Sequence, residues 1–129
     1  MITSGDAANI IYRDLEEFSI SERYHAGTEP KGEIHTERII IHTKSQSPET
    51  YWDKNFLEIN ICVPDISGEK HKERTDELER EAKAFFDKIG LYDDTVYRYS
   101  ISSIGVEEDK NLKCHYVNVR VLFEVFNIN

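Results

Sequence analysis

The chain has 129 residues, the length of a single domain, with a net charge of -9 and 32% charged residues. A fold this acidic, with no run of Lys or Arg, argues against tight nucleic-acid binding and against docking on an anionic membrane surface. Its 39% hydrophobic content and its seven Tyr, six Phe and one Trp argue against disorder and for a modest core that needs no disulfide or metal.

Residues 5–18 predict a short helix. Ile11, Leu15 and Phe18 recur at i, i+4 and i+7, Ala7 extends the stripe, and Ser4 or Asp6 is placed to cap the start. The stretch "SERYHAGTEPKG" reads as loop, punctuated by Gly27, Pro30 and Gly32. A strand follows in "EIHTERIIIHT", where the run Ile39-Ile40-Ile41 leaves the buried face undecided. "KSQSPETYWDK" is polar and reads as an exposed loop or hairpin arm.

From Asn55 to Val63 the alternation is clean. Leu57, Ile59, Ile61 and Val63 point one way, and Pro64 ends the strand because it has no N–H to donate. Residues 70–89 predict a long helix of about 30 Å. Thr75, Leu78, Ala82, Phe85 and Ile89 form its stripe, Phe86 widens it, and Gly90 suits the left-handed position after its end. "TVYRYSISSI" and "CHYVNVRVLFEVF" alternate as two closing strands, linked by the polar "GVEEDKNLK". The last strand spans roughly 40 Å, long for a domain of this size. The predicted architecture is α+β in the order α-β-β-α-β-β. It is one domain over 1–129, a four-stranded, mostly antiparallel sheet with the long helix packed on one face.

Signals for chemistry are weak. His25, His35, His42, His71 and His115 include no pair with the spacing of a helical metal site, and Cys62 and Cys114 are far apart in sequence. Both thiols read as reduced and partly buried. Glu73, Glu77, Glu79 and Glu81 read as a solvated helix face, and "DISGEK" as an ordinary turn rather than a phosphate loop. No catalytic residue, cofactor or metal is expected. The N-terminus has no basic region followed by an apolar run, and no segment reaches the roughly 20 apolar residues of a membrane span, so a cytosolic location is expected.

The short N-terminal helix, the hairpin, "INICVPDISG" leading into "RTDELEREAKAFF", and the closing "HYVNVRVLFEVFN" together resemble the tail-completion and tail-terminator proteins of long-tailed bacteriophages and prophages. The resemblance covers most of the chain in element order. In residues it is concentrated at Asn60–Gly68, Arg74–Phe86 and Tyr116–Phe126, all fold-bearing positions. It implies a structural role: a homo-oligomeric ring, usually a hexamer, at the head-proximal end of the tail tube. Such a ring stops tube growth and meets the head connector protein, without enzyme activity or cofactor. It implies a host bacterial cytoplasm during assembly and the virion tail afterwards.

Trp52 and Tyr51 in the polar loop, and Arg120 and Phe126 on the last strand, are the expected contacts with other subunits and with the tail tube protein. Acidic groups facing the lumen of such a ring would keep passing DNA from sticking. One alternative is a small α+β small-molecule binding module or cytosolic enzyme, with a pocket between sheet and helix lined by Tyr97 and Tyr99. Another is an adaptor of a secretion machine built on the same tube architecture.

Overall fold

The computed structural model describes residues 3–44 and 54–126. Helix α1 (Ser4–Asp14) continues into a short 3-10 turn, Leu15–Glu17. Three strands follow, β1 (Arg23–His25), β2 (Arg38–Thr43) and β3 (Lys54–Pro64). After helix α2 (Lys72–Phe85) come β4 (Lys88–Tyr92), β5 (Thr95–Asp109) and β6 (Cys114–Phe126).

The sheet corrects the four-stranded expectation. It has six strands in the order β1-β2-β3-β6-β5-β4, and it is mixed and curled into a half-barrel, with two short helices. β1 runs parallel to β2 and every other pair is antiparallel. The long helix is also corrected. α2 has 14 residues and stops at Phe85, whose successor Phe86 still donates its N–H to the Ala82 carbonyl. Ile89 and Gly90 belong to β4, and Ile89 is 70% exposed. Strand pairing with β5, over register pairs from Lys88–Tyr99 to Tyr92–Thr95, overrides the helical period in this segment. A two-residue turn, Asp93–Asp94, closes this hairpin with Asp93 at φ 52°, a left-handed position that Asp tolerates.

Both helices lie on one face. α1 crosses β1, β2 and β3, while α2 crosses β3, β6 and β5. The α1 cap is Thr3, whose hydroxyl accepts from the Asp6 N–H while the Asp6 carboxylate accepts from the Thr3 N–H. Ala7, Ala8, Ile10, Ile11 and Leu15 from the first helix segment meet Ile39 and Ile41 of β2 and Leu57, Ile59 and Ile61 of β3 in the main core. α2 adds Thr75, Leu78, Ala82 and Phe86, an i, i+3/i+4 stripe that ends one residue beyond the helix. Phe85 is half-buried at the edge of this core, where its ring meets Phe18 edge-on at 5.7 Å.

The other face is covered over part of its area by the segment 26–37. Ile34, Ile40, Cys62 and Cys114 form a second small core there, with Tyr24, Leu112 and Tyr116 packed against it. The Ile39-Ile40-Ile41 run is thus buried on both sides of the sheet: Ile39 and Ile41 under the helices, Ile40 under the loop. β5 runs through the residues expected to be a polar link. Its register against β6 shifts between Ile101 and Ser103, and such a bulge sharpens the local twist. "DISGEK" is a tight reversal. Ile66 and Glu69 exchange backbone hydrogen bonds around Ser67 and Gly68, both at positive φ.

Candidate functional site

Of the four expected contact residues, Trp52 and Tyr51 lie outside the described residues. Arg120 and Phe126 both sit on the helix-free face of β6, because the alternation that buries Val117, Val119, Val121, Phe123 and Val125 turns them outward. The exposed Arg120 guanidinium stacks over the Phe56 ring at 5.0 Å and pairs in register with Glu58. Phe126 is 45% exposed.

Phe126 stands at one end of an apolar row. Leu91 pairs with Val96, and Val96 pairs with Phe126, so three apolar side chains lie side by side across β4, β5 and β6. Leu91 is 64% exposed, and Ile89 lies next to it on the same face of β4. Among the described residues β4 is an edge strand, and its Leu91 carbonyl accepts a hydrogen bond from Arg13 Nη2 at 3.3 Å. The opposite edge, β1, is a different strand with different residues.

A cavity of about 420 Å³ lies on the same helix-free face, between the sheet and the segment 29–34. Its walls are Ile34, Ile40 and Leu112, with the two cysteines deeper in. A polar chain crosses its floor. Asn118 Nδ2 donates to Asn60 Oδ1 at 2.8 Å, and Asn60 Nδ2 lies 3.2 Å from His42 Nε2, which accepts if the imidazole proton is on Nδ1. Arg38 is buried at the rim. Its Nη1 donates to the Pro30 carbonyl at 3.3 Å, and its Nε forms an ion pair with Glu22 at 3.2 Å whose alignment falls short of a hydrogen bond.

Cys62 and Cys114 are both free and buried, in accord with the sequence reading, yet the fold brings them together. A hydrogen bond to Cys114, with burial, pushes the Cys62 thiol up, and the same bond holds Cys114 down. Pairing of Cys62 with Tyr116 and of Pro64 with Cys114 makes the cysteines diagonal neighbours on adjacent strands. Sequence spacing carries no trace of this, because strand register sets it. Burial, with Glu107 alongside, pushes the Tyr116 hydroxyl up to about 12.

Tyr97 and Tyr99, expected to line a pocket, are core residues instead. Both hydroxyls donate to Asp14 Oδ2, the Tyr99 bond measuring 2.7 Å, and Arg13 Nη2 donates to the Tyr97 hydroxyl at 2.7 Å. The buried rings therefore end on a satisfied polar cluster that ties α1 to β5. Among the described residues, Asp65, Glu108 and His115 form a compact group of potential metal ligands, brought together from three separate segments. Helical spacing among the histidines carries no trace of it, because its members come from β5, β6 and the residue after β3.

No protein-family model matches the chain, and no curated protein matches it.

Proposed function

We propose that this chain is a structural subunit of a ring at the head-proximal end of a phage-type tail tube, as its resemblance to tail terminators implies. The observation that carries the reading is the sheet with two unlike edges, β1 and β4, the second flanked by the exposed Ile89, Leu91 and Phe126. Identical subunits join head to tail only through two different surfaces, and such contacts close into rings when the rotation permits. An apolar group on an edge strand is a common mark of a protein–protein contact. The net charge of -9 suits a ring through which DNA passes without adhering. Arg120 and Phe126 remain the proposed contacts on the last strand, with Tyr51 and Trp52 as their counterparts in the loop.

The test combines light scattering with purified tail tubes. The expected result is a ring mass, alone or on the tube, and tubes that no longer elongate once capped. A chain that stays monomeric with tubes present and leaves their growth unchanged overturns the proposal. Genes for a major capsid protein, a tail tube and a tape measure beside the coding sequence would support it independently.

The cavity of about 420 Å³ favours a second reading, a small-molecule binding module, since it falls within the size range of ligand sites. The site would be the cavity under residues 29–34, not a pocket between sheet and helix. A ligand there would shift the amide signals of Ile40, Asn60 and Cys62. A broad metabolite screen that moves none of them removes this reading.

A further inference from the structure

Three strand ends meet at one pole of the sheet. Asp65 directly follows β3, Glu108 is the next-to-last residue of β5, and His115 is the second residue of β6. β6 lies between the other two strands, and His115 pairs with Val63 on one side and with Glu108 on the other. The three side chains therefore converge on the helix-bearing face, at positions that backbone register fixes.

Among the described residues the imidazole is hydrogen-bonded at one nitrogen. His115 Nδ1 lies 2.7 Å from Asp65 Oδ1, and both side chains are largely buried, 16% and 10% exposed. A neutral imidazole that donates Nδ1–H to this carboxylate carries its lone pair on Nε2. That nitrogen faces Glu108 Oε2 across 3.9 Å, too long for a hydrogen bond. Two ligand atoms that each sit about 2.0–2.2 Å from one ion stand roughly 2.8–3.6 Å apart at octahedral or tetrahedral angles. The 3.9 Å gap is a few tenths of an ångström wider, which a rotation of the part-exposed Glu108 side chain closes, and the ligand-capable atoms of the three residues lie within 4.8 Å of one another. A hollow of about 650 Å³, lined by Asp65 and Glu108 together with Glu33, His35, Lys110 and Lys113, adjoins the two carboxylates and supplies room for water ligands. The carboxylate–imidazole pair is the arrangement that orients and strengthens metal-ligating histidines.

We propose that Asp65, Glu108 and His115 form a site for a divalent transition-metal ion. His115 Nε2 and Glu108 are the ligands, Asp65 holds the imidazole, and water completes the shell. One imidazole nitrogen with carboxylate oxygens suits zinc or a neighbouring first-row ion rather than a soft monovalent one. The site does not depend on the ring proposal, and bound metal would pin the ends of three strands together.

The test is zinc titrated into chelator-treated full-length protein by calorimetry, followed by imidazole 15N spectra. One equivalent should bind, the melting temperature should rise, and the Nε2 signal of His115 should move. Glu108→Gln should fold normally, because this side chain is 45% exposed, and should bind zinc at least tenfold more weakly. Asp65→Asn should also weaken binding about tenfold or more. Absence of stoichiometric binding, or an unmoved His115 signal, overturns the proposal and leaves His115 as a structural partner of Asp65. Equal affinity in Glu108→Gln overturns it as well and places zinc elsewhere, with the Cys62–Cys114 thiols the first place to look.

Discussion

Gly90 and Tyr97 face each other across β4 and β5, and the phenol ring of Tyr97 fills the space that a side chain on residue 90 would need. The glycine serves close approach, since it is the ring passing over this position that carries the Tyr97 hydroxyl to Asp14. Gly90→Ala should therefore force the ring aside and strain its hydrogen bonds, at a cost of about 1–3 kcal/mol. Urea unfolding measures it. A loss below about 0.5 kcal/mol would mean that the ring has room to yield.

Alkaline pH should destabilise the fold through the same cluster. Burial, reinforced by the bond to Asp14, pushes Tyr97 up to about 12 from an ordinary value near 10, and pushes Tyr99 up as well. The folded state thus holds the phenolic proton more tightly than the unfolded chain does. That stability is complete below pH 10 and is lost as pH rises toward 12. Melting temperature measured across this window should fall more steeply in the native sequence than in Tyr97→Phe. Parallel slopes would remove Tyr97 from the cause.

The two adjacent phenylalanines at the end of α2, Phe85 and its cap residue Phe86, should differ sharply. Phe86 is fully buried, and its ring meets Tyr99 edge-on at 5.9 Å, whereas Phe85 lies half-buried at the rim. Phe86→Ala should cost about 3–5 kcal/mol and Phe85→Ala clearly less. Denaturant midpoints of the two variants decide the order, and a reversed order would place the core stripe one residue too late.

If the chain forms the proposed ring, the apolar row should bear on assembly rather than on folding. Leu91→Glu combined with Phe126→Glu should leave the melting temperature nearly unchanged, because both side chains are exposed in the isolated subunit. It should weaken ring formation or tube capping by about 2 kcal/mol or more. Mass measured over a dilution series and tube-capping assays report the effect. Undiminished assembly with an intact fold would place the contact on another surface.

The strands that alternate over many residues were legible in the sequence. Leu57, Ile59, Ile61 and Val63 on β3, and Val117 through Val125 on β6, are buried on the face their period dictates. Pro64 closes β3 as its missing N–H requires. β4 was illegible for a physical reason. Ile89 prolongs the helical stripe of α2 and Gly90 imitates a helix stop, so local pattern favours helix while pairing with β5 decides for strand. β1 has three residues, too few to show a period. The polar residues Glu107, Glu108 and Asp109 read as a link, yet partners on β6 hold them in a strand. The Asp65, Glu108 and His115 group and the thiol pair were hidden because strand register, not sequence spacing, unites their members.

The pairing of β3 with β6 has a kinetic consequence. Lys54 meets Glu124 and Pro64 meets Cys114, partners separated by all of α2, β4 and β5. This central seam has the greatest loop-closure cost in the sheet, while the β5–β6 and β2–β3 hairpins are local. We expect the two hairpins to form first and the seam to close last, which makes the chain a slow folder for its length. Until it closes, the inner faces of both halves stand open to water and to other chains, and aggregation during refolding should peak in that interval. Pulse-labelling hydrogen exchange would reveal the order: amides shared within β5–β6 protected early, those joining β3 to β6 protected together with the final burial of Ile59 and Val119. Protection of the β3–β6 seam ahead of either hairpin would reverse it.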